Sequence, residues 1–203
     1  MQTYHIMRVD NQFSDWTEIP RARISCFKWM DNGYEPEAWG QMVFMDQVGF
    51  LVRMNCREDG PRATFINEND PVCKDSCLEF FGDFDPDGKG GYLNCEANAY
   101  GTLLCGYGAE RKGRKKLMEL NLLRPEIKPF REDGLWGYEL LIPVSLLDDL
   151  YGRKEWVPGS VIRGNFYKCG DETPLPHFGM WNPIDCDHPD FHRPEQFGEL
   201  IVD

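Results

Sequence analysis

Clusters of glycine, proline and aspartate interrupt this chain so often that only short segments remain between them. Those segments are rich in Val, Ile, Phe and Tyr, and many alternate apolar with polar residues, which is typical of strands. Turn signals at such short intervals favour a sandwich or barrel of antiparallel strands. Strands are predicted near residues 4–9, 21–28, 39–46, 49–56, 77–82, 91–99, 117–123, 136–142, 161–168, 177–181 and 198–202.

One segment predicts a helix, namely PVSLLDDLY from Pro143 to Tyr151. Ser145 is a helix-capping residue type, the leucines lie three and four positions apart, and Gly152 ends the segment. The predicted fold class is therefore all-β, a jelly-roll-like β-sandwich of two antiparallel sheets with one short helix near 144–151. A chain of 203 residues without a linker or repeat is expected to form a single domain over 1–203.

Charge and composition exclude several classes of partner. The net charge of −12 argues against nucleic acid and anionic membranes, because both repel an acidic chain. No apolar run is long enough to predict a membrane-spanning helix. The first residues, MQTYHIMRVDNQF, lack the apolar core of a signal peptide, and 8 cysteines are too few for a disulfide scaffold. These observations favour a cytoplasmic protein with mostly reduced cysteines.

Several predicted strands carry, on one face, side chains that can make several hydrogen bonds each. Amide, carboxylate and guanidinium groups suit the paired hydroxyls of a sugar, and a neutral ligand is not repelled by an acidic chain. The pattern therefore indicates a carbohydrate site, with an ordinary solvent-exposed sheet face as the alternative. The residues expected on these outward faces are Arg53, Glu79, Asn94, Glu96, Asn98, Arg163, Asn165 and Tyr167.

The stretch FGDFDPDGKGGYLNCEAN begins like a calcium loop. Asp83, Asp85 and Asp87 alternate, and Gly88 stands where such a loop needs a glycine. The twelfth position of the loop is Asn94 rather than the bidentate glutamate of an EF-hand, and the flanking segments are predicted strands. Two interpretations stay open: a calcium ion clipped by the three aspartates, or a turn between two strands.

Two other groups contain metal-binding residue types. Cys73 and Cys77 in CKDSC lack a second pair of ligands in the sequence, which makes the spacing a poor zinc signal. His188 and His192 stand near aspartates, but Pro189 prevents the helix that would bring both histidines to one face. No metal is predicted at either group, and no cofactor is required apart from the possible Ca²⁺.

From Asp70 onward the chain contains, in this order, DPVCKDSCLEFF, YLNCEANAYGTL, LWGYELLIPVSLL and PDFHRPEQFGEL. These motifs resemble those of the carbohydrate-binding module family 9-like domains. DPVCKDSCLEFF resembles that family's D-x-V-E-x-F strand, and YLNCEANAYGTL resembles its Y-x-F-x-x-N-x-x-G strand. LWGYELLIPVSLL resembles its W-x-x-E-x-x-I-P-x-x-x-L segment. The tail strings NFYKCG, PHFGMWNPI and PDFHRPEQFGEL follow in the family's order, and Asp15-Trp16 resembles its opening D-W.

The resemblance implies a β-sandwich that binds sugars, often beside xylan-degrading glycosidases. In that family two tryptophans clamp a sugar, while Glu, Arg and Asn hydrogen-bond its hydroxyls, and some members hold structural calcium. Trp181 matches the later tryptophan, Glu79 the glutamate of the V-E-x-F strand, and Asn98 the asparagine before Gly101. No motif aligns an aromatic residue with the first tryptophan. The implied partners are a poly- or oligosaccharide of the xylan or glucan type and a glycoside hydrolase.

Three functions follow from these observations. The first is carbohydrate binding through an aromatic platform at Trp181 and the polar strand face, accessory to glycoside breakdown. The second is a small glycoside hydrolase, or a detached module of one, because carboxylates such as Glu79, Glu96 and Glu139 lie on strands. The third is an interaction domain on the same fold with a degenerate sugar site. The chain contains no G-x-S-x-G, H-E-x-x-H or P-loop motif, which disfavours other enzyme classes.

Overall fold

The computed structural model describes residues 1–88 and 90–203, and it confirms the mostly-β prediction. Within that range the chain forms one α-helix, α1 (Val144–Tyr151), and short 3-10 helices at Val72–Lys74, Leu117–Leu120 and Pro194–Gln196. The strands are β1 (Thr3–Val9), β2 (Ala22–Ile24), β3 (Cys26–Phe27), β4 (Ala38–Met45), β5 (Gly49–Arg57), β6 (Cys77–Asp83), β7 (Tyr92–Asn98), β8 (Leu103–Gly108), β9 (Lys115–Lys116), β10 (Glu126–Glu132), β11 (Leu135–Pro143), β12 (Val161–Cys169), β13 (Phe178–Met180) and β14 (Gly198–Val202).

The strands form a large curled sheet in the order β10-β11-β5-β4-β1-β14-β12-β6-β7-β8-β9, with β2 on β4 and β13 between β12 and β3. The prediction of purely antiparallel sheets is wrong at β1. Residues 3–6 run parallel to β14, and residues 7–9 run parallel to β4. Because the chain crosses through β2 and β3 before it returns as β4, β1 and β4 have the same direction. The result is a mixed sheet.

The main hydrophobic core joins residues of β4, β5 and β11 to residues of β6, β7 and β12. These two groups of strands lie on opposite sides of β1 and β14 in the sheet order, and we call them the two halves of the sheet. The Tyr138 hydroxyl on β11 donates to the Leu78 carbonyl on β6 at 2.9 Å, although these strands are far apart in the sheet order. Gly40 on β4 faces Phe166 on β12 so closely that an added Cβ would lie 2.2 Å from the ring. Backbone and aromatic ring thus approach each other at a position that only glycine fits.

A second layer of packing covers the polar face of β6, β7 and β12. Tyr167 stacks on Phe191 with the ring centroids 4.1 Å apart and an interplanar angle of 11°. The Tyr92 hydroxyl lies 2.7 Å from Nδ1 of His192. The alternation predicted for β7 is confirmed, since Leu93 and its neighbours on that face enter the main core. The opposite face is not exposed as predicted, because the tail residues 170–197 fold over it.

One predicted strand is replaced by other structure. Residues 117–123 form a 3-10 helix, Leu117–Leu120, followed by Asn121 in the left-handed region with φ 56°. Leu117 is buried in the main core and Leu122 packs against it, whereas Met118 is exposed. These two leucines anchor the segment, and no neighbouring strand pairs along it. Within the described residues, no helix has the length and apolar character needed to cross a membrane.

Candidate functional site

A pocket of about 110 Å³ remains between the polar face of β6 and β7 and the tail that covers it. Strand register explains why polar groups gather there, because residues two apart on a strand share a face. Loop residues from the tail and from the segment after β8 complete the wall. The polar residues that line the pocket are Glu79, Glu96, Arg111, Asp171, Asp190 and His192.

Two carboxylates dominate the pocket floor. Glu79 on β6 lies directly opposite Glu96 on β7 and, on its other side, opposite Tyr167 on β12. Both glutamates are almost fully buried, with 3% and 6% of their surface exposed. Cross-strand neighbours on one face have Cβ atoms about 4.5–5.5 Å apart, so the two side chains share one small space.

Burial raises the pKa values of both glutamates. Loss of water raises the pKa of Glu79 well above its usual range, and the charge of Glu96 raises it further. Burial also raises the pKa of Glu96, but Asn94 partly opposes this shift by donating to Oε1 at 2.8 Å. Arg114 holds Asn94 in place, with Nε and Nη2 at 3.0 and 2.7 Å from Oδ1. The pKa values of both carboxyls are therefore raised, and that of Glu79 is raised well above the usual glutamate range.

Aromatic rings form the side of the pocket nearest the tail. Phe178 and Phe191 line it, and Phe191 rests on the fully buried ring of Tyr167, whose hydroxyl donates to the Phe191 carbonyl at 3.1 Å. His192 closes the same side. Burial, reinforced by the nearby Arg114 charge, lowers the pKa of His192 to about 4, so its imidazole is neutral at physiological pH. The pocket therefore combines acidic oxygens with apolar ring surfaces.

Trp181 and Asn165 lie away from this pocket, in the core. Trp181 is 4% exposed and packs edge-on against Phe166 and Tyr4, with centroids 5.7 and 6.5 Å away. Its ring faces are covered by protein, so it presents no platform to a ligand in this structure. The Asn165 amide exchanges hydrogen bonds with the backbone of Asn182, donating at 2.8 Å and accepting at 2.9 Å. Both residues fix the tail to β12.

Three further predicted residues also lie outside the pocket. Asn98 uses both ends of its amide, donating to Phe65 and Asp75 and accepting from the backbone of the turn after β7. Arg53 lies on β5 in the other half of the sheet, where Nη1 is 3.0 Å from Glu139 Oε1. Arg163 stands opposite Asp83, at the far end of β12 from the pocket. Six residues of strand, about 20 Å, separate it from Cys169.

The aspartate-rich loop has internal partners in this structure. Asp83 Oδ1 accepts from the backbone N–H of Asp85 at 2.9 Å, and Asp85 pairs with Lys154. The loop leads from β6 to β7, as the turn interpretation predicts, and Lys89 within it lies outside the described residues. Calcium at Asp83, Asp85 and Asp87 stays a prediction. An ion there would have to displace the Lys154 ammonium from Asp85.

A different group of potential metal ligands is close together among the described residues. It consists of Cys77, Glu79 and Cys169. Sequence reasoning found Glu79 but missed Cys169, Asp171, Arg111 and the other residues that come from loops. Their positions depend on how the tail folds back, which strand periodicity does not encode. The density of His, Phe and Pro after residue 170 was the available signal that this tail is ordered.

A larger pocket of about 540 Å³ lies at the end of the sheet, beside Tyr34, Glu58 and Ser76. Its central carboxylate is already fully engaged. Glu58 accepts from the Tyr34 and Ser76 hydroxyls at 3.2 and 3.0 Å, and lies 3.4 Å from the ammonium of the buried Lys168. The smaller pocket, whose glutamates have fewer partners, is therefore the better candidate site.

Comparison with known proteins gives one family. The family model described as carbohydrate-binding family 9 matches residues 9–202. A candidate carbohydrate-binding protein from Bacteroides uniformis ATCC 8492 is 27% identical with a TM-score of 0.80, covering 100% of this chain and 99% of that one. No curated protein sequence matches.

Two further solved structures share the fold. Both are a family 9 carbohydrate-binding module from Caldicellulosiruptor kristjanssonii, one in complex with cellotriose and one with glucose. Each is 12% identical to this chain with a TM-score of 0.68. The cellotriose complex covers 99% of this chain and 93% of its own, and the glucose complex covers 100% and 96%.

Proposed function

The chain belongs to carbohydrate-binding family 9, and on that premise we propose that it binds a carbohydrate in the pocket floored by Glu79 and Glu96. The main support for this proposal is that hydrogen-bond-accepting carboxylates and aromatic rings line the same small pocket. Buried carboxylates accept hydrogen bonds from sugar hydroxyls, and Arg111 and His192 add polar groups at the wall. Phe178 and Phe191 supply apolar ring surface for the C–H faces of a sugar.

The finer proposals concern architecture and ligand. The two halves of the curled sheet, which enclose the main core, are proposed to act as the layers of a β-sandwich with the pocket on the outer side of one layer. A xylan- or glucan-type sugar is the proposed ligand, bound by one end because the pocket is small. An accessory role beside a glycoside hydrolase is proposed from the family alone.

We expect the wild-type protein to bind glucose, cello-oligosaccharides or xylo-oligosaccharides in isothermal titration calorimetry. Arg111→Ala and Glu96→Gln should each weaken binding by about tenfold or more, because each removes a hydrogen bond that involves a charged group. Arg57→Ala is the matched control. The Arg57 and Arg111 side chains are 57% and 58% exposed, and their ion pairs measure 3.3 and 3.2 Å, but Arg57 lies on the other half of the sheet. Equal binding by Arg111→Ala, Glu96→Gln and the control would place the sugar elsewhere.

The opposed glutamates also favour a second candidate, a small glycoside hydrolase. Retaining glycosidases use two carboxyl groups about 5–5.5 Å apart, one of them with a raised pKa, and the Glu79–Glu96 register suits that separation. For a hydrolase we expect release of reducing sugar from xylan or β-glucan. Glu79→Gln and Glu96→Gln should each reduce that release by at least about 10²-fold. Absence of release above buffer from the wild type would exclude this candidate.

A further inference from the structure

Three potential metal ligands meet beneath the pocket, on strands that are remote in sequence. Cys77 on β6 lies directly opposite Cys169 on β12, and Glu79 follows Cys77 on the same face of β6. One ligand atom from each residue lies within 4.8 Å of the other two. Cys169 Sγ is only 2.9 Å from Glu79 Oε1. No function described above uses the two thiols.

The combination of two thiols and a carboxylate suits a particular class of ion. Thiolates select soft or borderline cations, and Zn²⁺ accepts sulfur and carboxylate ligands together in tetrahedral sites. Zinc bonds of about 2.3 Å to sulfur and 2.0–2.2 Å to oxygen put neighbouring ligand atoms about 3.3–3.8 Å apart. In the observed group the ligand atoms lie within 4.8 Å of one another and one pair is 2.9 Å apart, so the observed separations span that range.

The group is also held rigidly and is rich in acidic groups. Cys77, Glu79 and Cys169 are 0%, 3% and 1% exposed, on central paired strands. Glu96 stands beside them on β7, and Asp171 lines the same pocket. Arg111, which lines the same pocket, pairs with Asp190 at 3.2 Å. A cation bound by the two thiols and Glu79 would place positive charge directly beside the Glu79 carboxylate.

A third thiol lies on the same wall, outside the close group of three ligands. Cys73 lies in the 3-10 helix Val72–Lys74, is partly exposed, and lines the pocket together with Glu79 and Cys169. The spacing Cys73-x-x-x-Cys77 falls within the range common for zinc ligands. The sequence alone shows no second pair of metal ligands near these cysteines. The fold brings Glu79 and Cys169 close to Cys77.

We propose that Cys77, Cys169 and Glu79 bind a thiophilic divalent cation of the zinc class, with Cys73 or a water molecule as the fourth ligand. On binding, each ligating thiol and the Glu79 carboxyl release any bound proton to solvent, and each sulfur and a Glu79 oxygen donate a lone pair to the metal, with no change in oxidation state. The site lies at the base of the proposed sugar pocket but does not depend on sugar binding. Its test therefore uses the protein and the metal alone.

The experiment is a titration of the reduced, metal-free full chain with Co²⁺ and then Zn²⁺. We expect one equivalent of Co²⁺ to produce the absorption of tetrahedral cobalt thiolate, and one equivalent of Zn²⁺ to remove it. Zinc should also raise the melting temperature, since it binds the folded state. A wild type without stoichiometric binding would overturn the proposal, as would a Cys77–Cys169 disulfide that persists under the reducing conditions.

Variants then locate the ion. Cys77→Ser with Cys169→Ser should abolish the cobalt signal, and Glu79→Gln should weaken zinc binding by at least about tenfold. Glu79→Gln keeps the shape of the side chain, so it tests the site even where the double serine variant fails to fold. Cys186→Ser is the control, because the Cys186 thiol lies outside the proposed site and has a different potential metal ligand beside it, His188 Nδ1 at 3.6 Å. If Cys186→Ser lost metal binding while Glu79→Gln kept it in full, the metal would be bound at Cys186 and the proposal would be refuted.

Discussion

Replacing Trp181 by alanine is expected to lower the free energy of unfolding by about 3–5 kcal/mol, the range for deleting a large buried aromatic side chain. The indole fills the space between Tyr4 on β1 and Phe166 on β12, where the tail returns to the sheet. An added Cβ at Gly198 would lie 2.4 Å from the same ring, so the start of β14 also packs on it. Removing the ring leaves a cavity that three segments border. Urea or thermal unfolding measures the loss.

Trp29→Ala is the comparison for that measurement. Trp29 is partly exposed, and its indole N–H donates to the Cys186 carbonyl at 2.7 Å in the covering tail. Its removal is expected to cost less stability because less apolar surface is lost from the interior. Near wild-type stability for Trp181→Ala, combined with loss of sugar binding, would show instead that Trp181 is the ligand platform that the family resemblance implies. The two outcomes separate a core role from a binding role.

Local signals predicted much of the fold. The leucine spacing and Gly152 located α1 closely, and residue alternation assigned the correct core face to β7 and β12. Strands without those signals were missed. β10 (Glu126–Glu132) is mostly charged and contains Pro129, yet it pairs along its whole length with β11. β10 is at the end of the strand order, and an edge strand tolerates proline. Its pairing with β11, rather than its own residue pattern, therefore identifies it as a strand.

The site was less predictable for a different reason. Periodicity placed Asn94 and Glu96 on one face, and that assignment agrees with the structure, but it could not show that a tail covers the face. The same residue types then serve different purposes. Asn98 caps a turn and Asn165 anchors the tail, whereas Glu79 and Glu96 stay available to the pocket. Long-range packing decides between these uses, and strand spacing is the same for all of them.

Lys168 is a charged residue on the core face of β12, and the alternation of that strand does not explain why it is there. It shares the core face with Ile162 and Phe166, where a charged residue is unexpected, and it is completely buried. Its ammonium donates to the Cys169 carbonyl at 2.9 Å and to His177 Nε2 at 2.6 Å. Burial lowers the pKa of His177 to about 4, so the neutral ring can accept this bond while Nδ1 donates to the Leu175 carbonyl at 2.8 Å. Glu58 supplies the balancing charge.

Glu58→Gln is therefore expected to cost about 3–5 kcal/mol of folding free energy, since it leaves the Lys168 ammonium buried without an anion. Lys168→Met should cost less, because the Glu58 carboxylate keeps three neutral donors: Tyr34, Ser76 and the Trp136 indole at 3.2 Å. Denaturant unfolding at pH 7 measures both losses.

The double variant decides whether the two residues act as a pair. With the ammonium and its counter-charge both removed, Glu58→Gln with Lys168→Met should be more stable than Glu58→Gln alone, because no unpaired charge is left inside. Additive losses would contradict the pairing and assign the cost to each side chain's own packing. The sign of that coupling matters for the larger pocket as well. A coupled pair keeps Glu58 committed to the interior, whereas Glu79 and Glu96 face the smaller pocket.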